Sequence, residues 1–179
     1  GVSRASLRKI REHGGTLPDM RFLCATCGDW HDESPDIGTD APIYWRNVPE
    51  SERADGGVLS SDWCAIADEY FFLRGVLLIP ILGSDEHFGF GLWSSVSRQN
   101  FDRYVETFGS ESQSSLGSFF GWMSSQISGY PDMLRLQVRV KPRDAGWRPL
   151  LELEPTEHPL AFEQQNGITM ERVNEIVGP

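Results

Sequence analysis

The chain has 179 residues, 39% of them hydrophobic, and a formal net charge of −10. This length suits one packed domain, and the composition excludes a disordered chain. The acidic balance argues against nucleic acid or anionic lipid as partners. The longest apolar run, Val76–Leu82, is too short to cross a bilayer.

The first twenty residues differ in charge from the rest of the chain. Arg4, Arg8, Lys9 and Arg11 make this segment basic, and its apolar residues are few. We therefore predict a loosely attached arm over residues 1–20 and one domain over residues 21–179. The arm lacks the apolar centre of a secretory signal, and three cysteines do not form a disulfide-dense pattern, so we expect a cytoplasmic protein.

The apolar stretch Tyr70–Ser97 is the predicted centre of the fold. Two aromatic and aliphatic runs flank the turn sequence Gly83-Ser84-Asp85-Glu86. Such a pattern predicts a long antiparallel hairpin that is buried on at least one face. A helix should follow, with Ser97 as its N-cap and Phe101 as the first residue of its apolar stripe.

A second hairpin is predicted over Met133–Glu154, where apolar and polar residues alternate. The shortest connecting turn would place Arg135 opposite Glu154 and Gln137 opposite Glu152. Two short helices, Pro159–Asn166 and Met170–Val177, complete the chain. The predicted fold is therefore α+β: an antiparallel sheet built from the two hairpins, with helices on one face and a small N-terminal element within residues 21–64.

The motif Cys24-x2-Cys27-Gly28 is the strongest sequence signal for a metal. Two thiolates at this spacing can hold one zinc ion, which requires four ligands in a structural site. His31 and Cys64 would complete a Cys3His set that uses every cysteine in the chain. A redox dithiol and ordinary buried thiols are the alternatives, and the former needs a helix N-terminus that the sequence does not predict.

A polar segment near the C-terminus supplies the candidates for catalysis. His158 could act as a general base if Glu154 were close to it, and Gln164 follows on the predicted helix. Loop polarity and helix capping explain the same residues without catalysis. Arg74 is a further unusual residue, because it lies within an apolar strand and either faces solvent or needs a carboxylate partner.

Several short motifs follow one another between Phe22 and Val177. They are Phe22-x-Cys24-x2-Cys27-Gly28-x2-His31, Asp62-x-Cys64, Phe71-Phe72-x-Arg74-Gly75, Phe90-Gly91-x-Trp93-x-Ser95-x-Ser97, Phe120-Gly121-Trp122, Tyr130-Pro131, Leu153-Glu154-Pro155-x2-His158-Pro159-Leu160-Ala161 and Gln164-x2-Gly167-Ile168. In this order they resemble a known bacterial family, domain of unknown function 2199. The resemblance implies a small bacterial, cytoplasmic protein and brings no activity with it. It marks Cys24, Cys27, His31 and Cys64 as motif positions, together with His158 and Gln164.

The sequence favours a non-catalytic binding or interaction module with a structural zinc ion. Its partner would be a protein or a small molecule, and a homodimer is compatible with the sequence. The alternative is an enzyme of unknown reaction that uses His158, Glu154 and Gln164. Convergence of these three residues in a concave pocket would support the enzyme, and their separation would support the module.

Overall fold

A computed structural model of the chain describes residues 22–23, 30–31, 37–145 and 147–177. The predicted arm over residues 1–20 lies outside these residues, as do Cys24 and Cys27. The strands are β1 (Phe22–Leu23), β2 (Trp30–His31), β3 (Val58–Leu59), β4 (Trp63–Ile66), β5 (Tyr70–Pro80), β6 (His87–Val96), β7 (Phe119–Trp122), β8 (Gln137–Lys141) and β9 (Leu150–Leu153). The helices are α1 (Glu50–Gly56), α2 (Arg98–Glu106), α3 (Pro159–Asn166) and α4 (Met170–Val177), with short 3-10 helices at Ile43–Asn47 and Gln113–Leu116.

Strand β5 lies at the centre of a seven-stranded sheet. It pairs with β6 along its whole length, from Phe71 opposite Val96 to Pro80 opposite His87, so the predicted central hairpin is present. Its other edge pairs first with β4 and then with β9. The β5–β9 pairing is parallel, which makes the sheet mixed rather than antiparallel as predicted. The fold remains α+β, but two antiparallel hairpins alone do not describe its sheet.

The sheet curls until β7 reaches β6. Ser94 forms a bridge with Met123, and the Ser124 amide donates to the carbonyl of Trp93 at 2.8 Å. Gly121 permits this approach, because a Cβ at that position would lie 1.9 Å from the carbonyl oxygen of Ser95. The curl gives the sheet a concave and a convex face.

The concave face holds the main core. Residues from the central hairpin, such as Leu73, Leu77 and Phe90, are buried there beside residues of β7, β8 and β9. Helices α2 and α3 contribute buried residues to the same core, including Phe101 and Leu160. The prediction that helices cover one face therefore agrees with the packing of these two helices.

The convex face of β4, β5 and β6 carries a smaller apolar cluster. Cys64, Ile66, Phe72 and Trp93 form it, and Trp45 with Val48 packs against them. Trp45 and Val48 thus cover this side of the sheet, while the residues before them bridge the edge of β6 at Gly91. A hydrogen bond from the Trp93 indole to the carbonyl of Thr39, 2.7 Å long, helps to hold this segment. Strand β5 is buried on both faces at its start because of this second layer.

The β8–β9 hairpin forms with a register two residues away from the predicted one. Arg139 lies opposite Glu152, so the expected pairs of Arg135 with Glu154 and Gln137 with Glu152 are wrong. The reason is the connection: eight residues separate β8 from β9, whereas the prediction assumed the shortest turn. Opposite charges still line the outer face: Arg139 contacts Glu154 at 2.8 Å, and Lys141 contacts Glu152 at 2.6 Å.

Helix boundaries follow the predicted capping residues. The Ser97 hydroxyl accepts a hydrogen bond from the Asn100 amide, 3.3 Å long, at the start of α2. The two C-terminal helices have the predicted bounds, and the Thr169 hydroxyl accepts from the Arg172 amide at 3.2 Å. Within the described part of the chain, every helix is too short or too polar to traverse a lipid bilayer.

Candidate functional site: an aromatic cleft and the predicted site residues

Cys64 is the one predicted metal ligand whose side chain lies in the described region. It is on β4, opposite Phe72, and its exposed fraction is 0%. Burial raises the pKa of this thiol to about 12, so as a free thiol it stays protonated at neutral pH. Its thiol faces the small apolar cluster on the convex side of the sheet.

The remaining predicted ligands lie at or beyond the edge of the described residues. His31 is part of β2 and pairs with Phe22 of β1, while Cys24 and Cys27 fall in the segment between these strands, which is not described. Among the residues that the structure does describe, no three His, Cys, Asp or Glu side chains are grouped as a metal site would require. The Cys3His set therefore stays a prediction.

His158 is the N-cap of α3. Its Nδ1 accepts a hydrogen bond from the Leu160 amide at 3.2 Å, and its Nε2 lies 3.4 Å from the carbonyl oxygen of Pro131. The ring also stacks on Tyr130, with 6.5 Å between the centroids. Both ring nitrogens thus contact the backbone of neighbouring segments.

Gln164 and Glu154 likewise take part in contacts between elements. The side-chain oxygen of Gln164 accepts a hydrogen bond from the backbone amide of Leu153, and its side-chain nitrogen donates to the carbonyl of Leu151; each bond is 2.8 Å long. These two bonds hold α3 to β9. Glu154 forms an exposed ion pair with Arg139. Gln164 lines a shallow cleft of about 370 Å³ beside β5 and β9, and neither His158 nor Glu154 lines it.

Tyr130 links the two C-terminal helices to the segment that precedes β8. Its hydroxyl lies 2.5 Å from a carboxylate oxygen of Glu163, and Arg172 contacts the other oxygen at 2.9 Å. Burial, followed by the hydrogen bond to Glu163, raises the pKa of the Tyr130 phenol. The motif residues Tyr130-Pro131 and His158 therefore come together as a structural junction, while Gln164 holds α3 to β9.

Arg74 is half-buried on the convex side of β5. Its guanidinium lies over the ring of Trp93 at 6.0 Å, and burial lowers its pKa. The neighbouring Arg148 lowers this pKa further, while Asp40 and Asp62 oppose the shift. Asp62 forms its ion pair with Arg148, at 2.9 Å.

A larger cleft, of about 570 Å³, opens on the convex side between the first 3-10 helix, α1 and the sheet. Three exposed aromatic side chains border it: Tyr44 is 44% exposed, Tyr70 is 55% exposed and Trp122 is 43% exposed. The buried Phe72 lies beneath them and stacks on Tyr44 with 5.8 Å between the ring centroids. The lining residues are Tyr44, Asn47, Val48, Pro49, Glu52, Ile66, Glu69, Tyr70, Phe71, Phe72, Ser95, Val96, Trp122, Ser124 and Leu134.

The aromatic side chains come from segments that are far apart in the sequence. Tyr44 lies in the 3-10 helix, which is anchored to the sheet by a 2.9 Å hydrogen bond from the Ile43 amide to the carbonyl of Ser124. Trp122 ends β7, and its amide donates to the Ser95 hydroxyl at 3.0 Å. Closure of the sheet between β6 and β7 therefore brings Trp122 to Ser95, which lies opposite Phe72 on the neighbouring strand.

The tight turn between β4 and β5 forms one edge of the cleft. Ala67 and Asp68 both have left-handed backbones, with φ of 53° and 51°, which is uncommon for residues other than glycine. The side chain of Arg98 contacts both the carboxylate and the carbonyl of Asp68 and also lies over the ring of Phe71. Helix α2 thus stabilises a strained turn that positions Glu69 beside Tyr70.

The aromatic cleft differs in kind from the sites that the sequence suggested. In the structure, Trp122 is an exposed position of the alternating strand β7, and Tyr70 is the exposed first residue of β5. Both lie in runs of apolar residues, so no alternation of polar and apolar residues in the sequence marked them as outward-facing. Nothing local indicates that Tyr44, some 26 residues before Tyr70, would lie next to them. The cleft depends on the curl of the sheet, which no local sequence pattern predicts.

Comparison with known proteins gives one match. The model of a family described as "Uncharacterized protein conserved in bacteria (DUF2199)" matches residues 23–168. No curated protein matches the chain, and no solved structure matches it. The matched region includes the whole curled sheet and helix α3.

Proposed function

The chain belongs to the DUF2199 family of bacterial proteins, and we propose that it is a non-catalytic binding protein whose ligand occupies the aromatic cleft. The observation that carries the proposal is the border of three exposed aromatic side chains, Tyr44, Tyr70 and Trp122, around one concavity. Isolated exposed aromatics are ordinary on protein surfaces, but a group around a cleft is typical of a ligand site.

The size and lining of the cleft support a ligand rather than a packing defect. Its volume, about 570 Å³, lies within the range of small-molecule sites. Phe72 supplies an apolar base, while the half-buried Ser95 supplies a hydroxyl at the side. A few polar groups within an apolar lining are what orients a ligand in such sites.

The contacts of the three candidate catalytic residues favour binding over catalysis. His158 caps a helix, Gln164 holds the edge of β9, and Glu154 forms an exposed ion pair. None of them lines the aromatic cleft as described. An enzyme that uses these residues is the alternative proposal, and ligand turnover that is abolished by His158→Gln but not by Trp122→Ala would favour it.

Binding of aromatic fragments, followed by amide NMR shifts, tests the proposed site. We expect ligands to perturb the amides of Glu69, Ser95 and Ser124, and Trp122→Ala to weaken their binding at least about fivefold. Trp147→Ala is the matched control, because Trp147 is a comparably exposed tryptophan outside the cleft lining. Equal binding by both variants would rule out the cleft as the site.

We also propose that the N-terminal element binds a structural zinc ion through Cys24, Cys27, His31 and Cys64. The Cys24-x2-Cys27 spacing and the antiparallel pairing of Phe22 with His31 support this proposal. Protein purified without chelator should contain about one zinc equivalent, and Cys24→Ser should lose it. Less than about a tenth of an equivalent in the unmodified protein would remove this proposal.

The proposal includes a cytoplasmic location and a small molecule as partner. Reduced thiols fit the proposed zinc site, and the acidic surface disfavours nucleic acid and anionic membranes. Fractionation of bacterial cells tests the location: we expect the protein in the cytoplasmic fraction, and recovery from the periplasm or from membranes would contradict it.

A further inference from the structure

We infer that the ligand of the aromatic cleft is a small organic cation of the alkylammonium class. This inference rests on the proposed function and adds the chemistry of the ligand. It combines two properties of the cleft: aromatic faces are exposed around it, and the charged residues in its lining are both acidic. Each property favours a cation, and an alkylated cation has the apolar surface that such a lining accommodates.

Two of the three exposed aromatic rings pack against a neighbouring ring. Tyr44 stacks on Phe72, with an angle of 25° between the ring planes. Trp122 contacts Phe120 edge to face, with 5.5 Å between the centroids. A cation close to the face of a tryptophan or tyrosine ring is attracted by the negative potential of that face, and rings that are already positioned need no reordering when it binds.

The two carboxylates come from different elements of the cleft. Glu52 lies on α1 and Glu69 on the turn before β5. Neither forms an ion pair with any residue in the described part of the chain, whereas the nearby cation Arg98 already contacts Asp68. The lining therefore presents negative charge that a cationic ligand would neutralise, within a protein whose net charge is −10.

The shape of the cleft favours a small ligand over the side chains of a protein partner. A volume of about 570 Å³ is sufficient for a ligand the size of a metabolite. A stable protein interface needs roughly 800 Å² of each partner, and the aromatic border surrounds one concavity rather than covering such an area. The inferred occupant is therefore one small molecule that carries its positive charge on alkylated nitrogen.

Choline and 3,3-dimethylbutan-1-ol form a matched pair of probes. They have the same shape, and a carbon atom replaces the charged nitrogen in the alcohol. In NMR titrations of the full chain at constant ionic strength, we expect choline to bind at least about fivefold more tightly than the alcohol. The shifted amides should include those of Glu69 and Ser95.

Cleft variants assign this preference to the residues named. Trp122→Ala should weaken choline binding about fivefold, and Glu52→Gln with Glu69→Gln should reduce the preference for choline over the alcohol by about the same factor. Trp147→Ala and Glu171→Gln are exposed controls outside the cleft and should leave both affinities unchanged. Thermal melting of each variant shows whether it is folded.

The outcomes separate the ligand class from the proposed function. If the alcohol binds in the cleft as tightly as choline, the cation inference fails and the binding function stands. If neither the probes nor the aromatic fragments shift any cleft amide, both fail. If a lysine-rich peptide binds the cleft more tightly than choline, the assignment of a small molecule is overturned.

Discussion

Replacing Gly121 by alanine should open the curled sheet. The added Cβ would lie 1.9 Å from the carbonyl oxygen of Ser95 and 2.4 Å from the Ser94 hydroxyl. These atoms belong to strand β6, so rotation of a flexible side chain cannot relieve the clash with the carbonyl. Strands β6 and β7 must separate, and their separation breaks the hydrogen bond from the Ser124 amide to Trp93.

The expected loss of stability follows from these two effects. Overpacking of a buried site typically costs about 1–3 kcal/mol, and each buried hydrogen bond that is broken costs about 1 kcal/mol more. We therefore expect Gly121→Ala to lower the free energy of unfolding by about 2–4 kcal/mol. For a domain of this length, such a loss lowers the melting temperature by roughly 10 °C.

Urea denaturation and thermal melting, each followed by circular dichroism, measure this effect. Gly89→Ala is the matched control: it is also a strand glycine, but its Cβ would meet side chains of Leu78 and Val76 at 3.4 and 3.5 Å. The control should be neutral or up to about 1 kcal/mol more stable, because alanine restricts the unfolded chain. Similar stabilities for the two variants would refute the close approach of β6 and β7 at Gly121.

Three further predictions concern buried contacts. Asp62→Asn leaves the buried guanidinium of Arg148 without its carboxylate and should lower the free energy of unfolding by about 3 kcal/mol in urea denaturation. The control Glu152→Gln, at an exposed ion pair, should lower it by less than about 1 kcal/mol. Equal losses would contradict this reasoning. Gln164→Ala removes both hydrogen bonds to β9 and should lower the free energy of unfolding by about 2 kcal/mol in the same assay. The control Gln165→Ala, at an exposed position, should lower it by less than about 0.5 kcal/mol. Hydrogen exchange should also accelerate at the Leu153 amide in Gln164→Ala. The raised pKa of Tyr130 keeps its phenol protonated in the native state, whereas the phenol of the unfolded chain ionises near pH 10, so the free energy of unfolding should fall as the pH rises above about 10. Tyr130→Phe should make that fall less steep in urea midpoints measured from about pH 8 to 11. An unchanged slope would show that the native phenol ionises normally.

The metal proposal and the cleft proposal can fail independently. The proposed zinc ligands Cys24, Cys27 and His31 precede the described residues that line the cleft. Cys64 is the one proposed zinc ligand that is also related to the cleft, because it lies in the same apolar cluster as the cleft residue Phe72. Loss of zinc in Cys24→Ser with unchanged choline binding would place the two functions on separate surfaces.

Local sequence determined much of the secondary structure. The capping hydroxyl of Ser97, the proline that begins α3 and the turn residues at 83–86 act over a few neighbours, so their effects can be predicted without tertiary contacts. The central hairpin was equally predictable, because two long apolar runs joined by a short turn pair with each other more readily than with distant segments.

The register of the second hairpin and the mixed sheet depended on contacts that no local pattern contains. Eight residues connect β8 to β9, so turn geometry did not define their register. Strand β9 also pairs in parallel with the far half of β5, a contact between Val76 and Leu150 that are distant in sequence. Alternation predicts which face of a strand is buried but not which strand will lie beside it.

By itself, the sequence determined the family, the α+β class, the helix ends and the apolar central hairpin. Only the tertiary structure decided what the polar and aromatic motif residues do. Folding placed His158 at the N-cap of α3 and Gln164 against β9, and it brought Tyr44, Tyr70 and Trp122 around one cleft. The physical reason is that capping and alternation act between near neighbours, whereas a cleft is made when the closure of a curled sheet joins strands from distant parts of the chain.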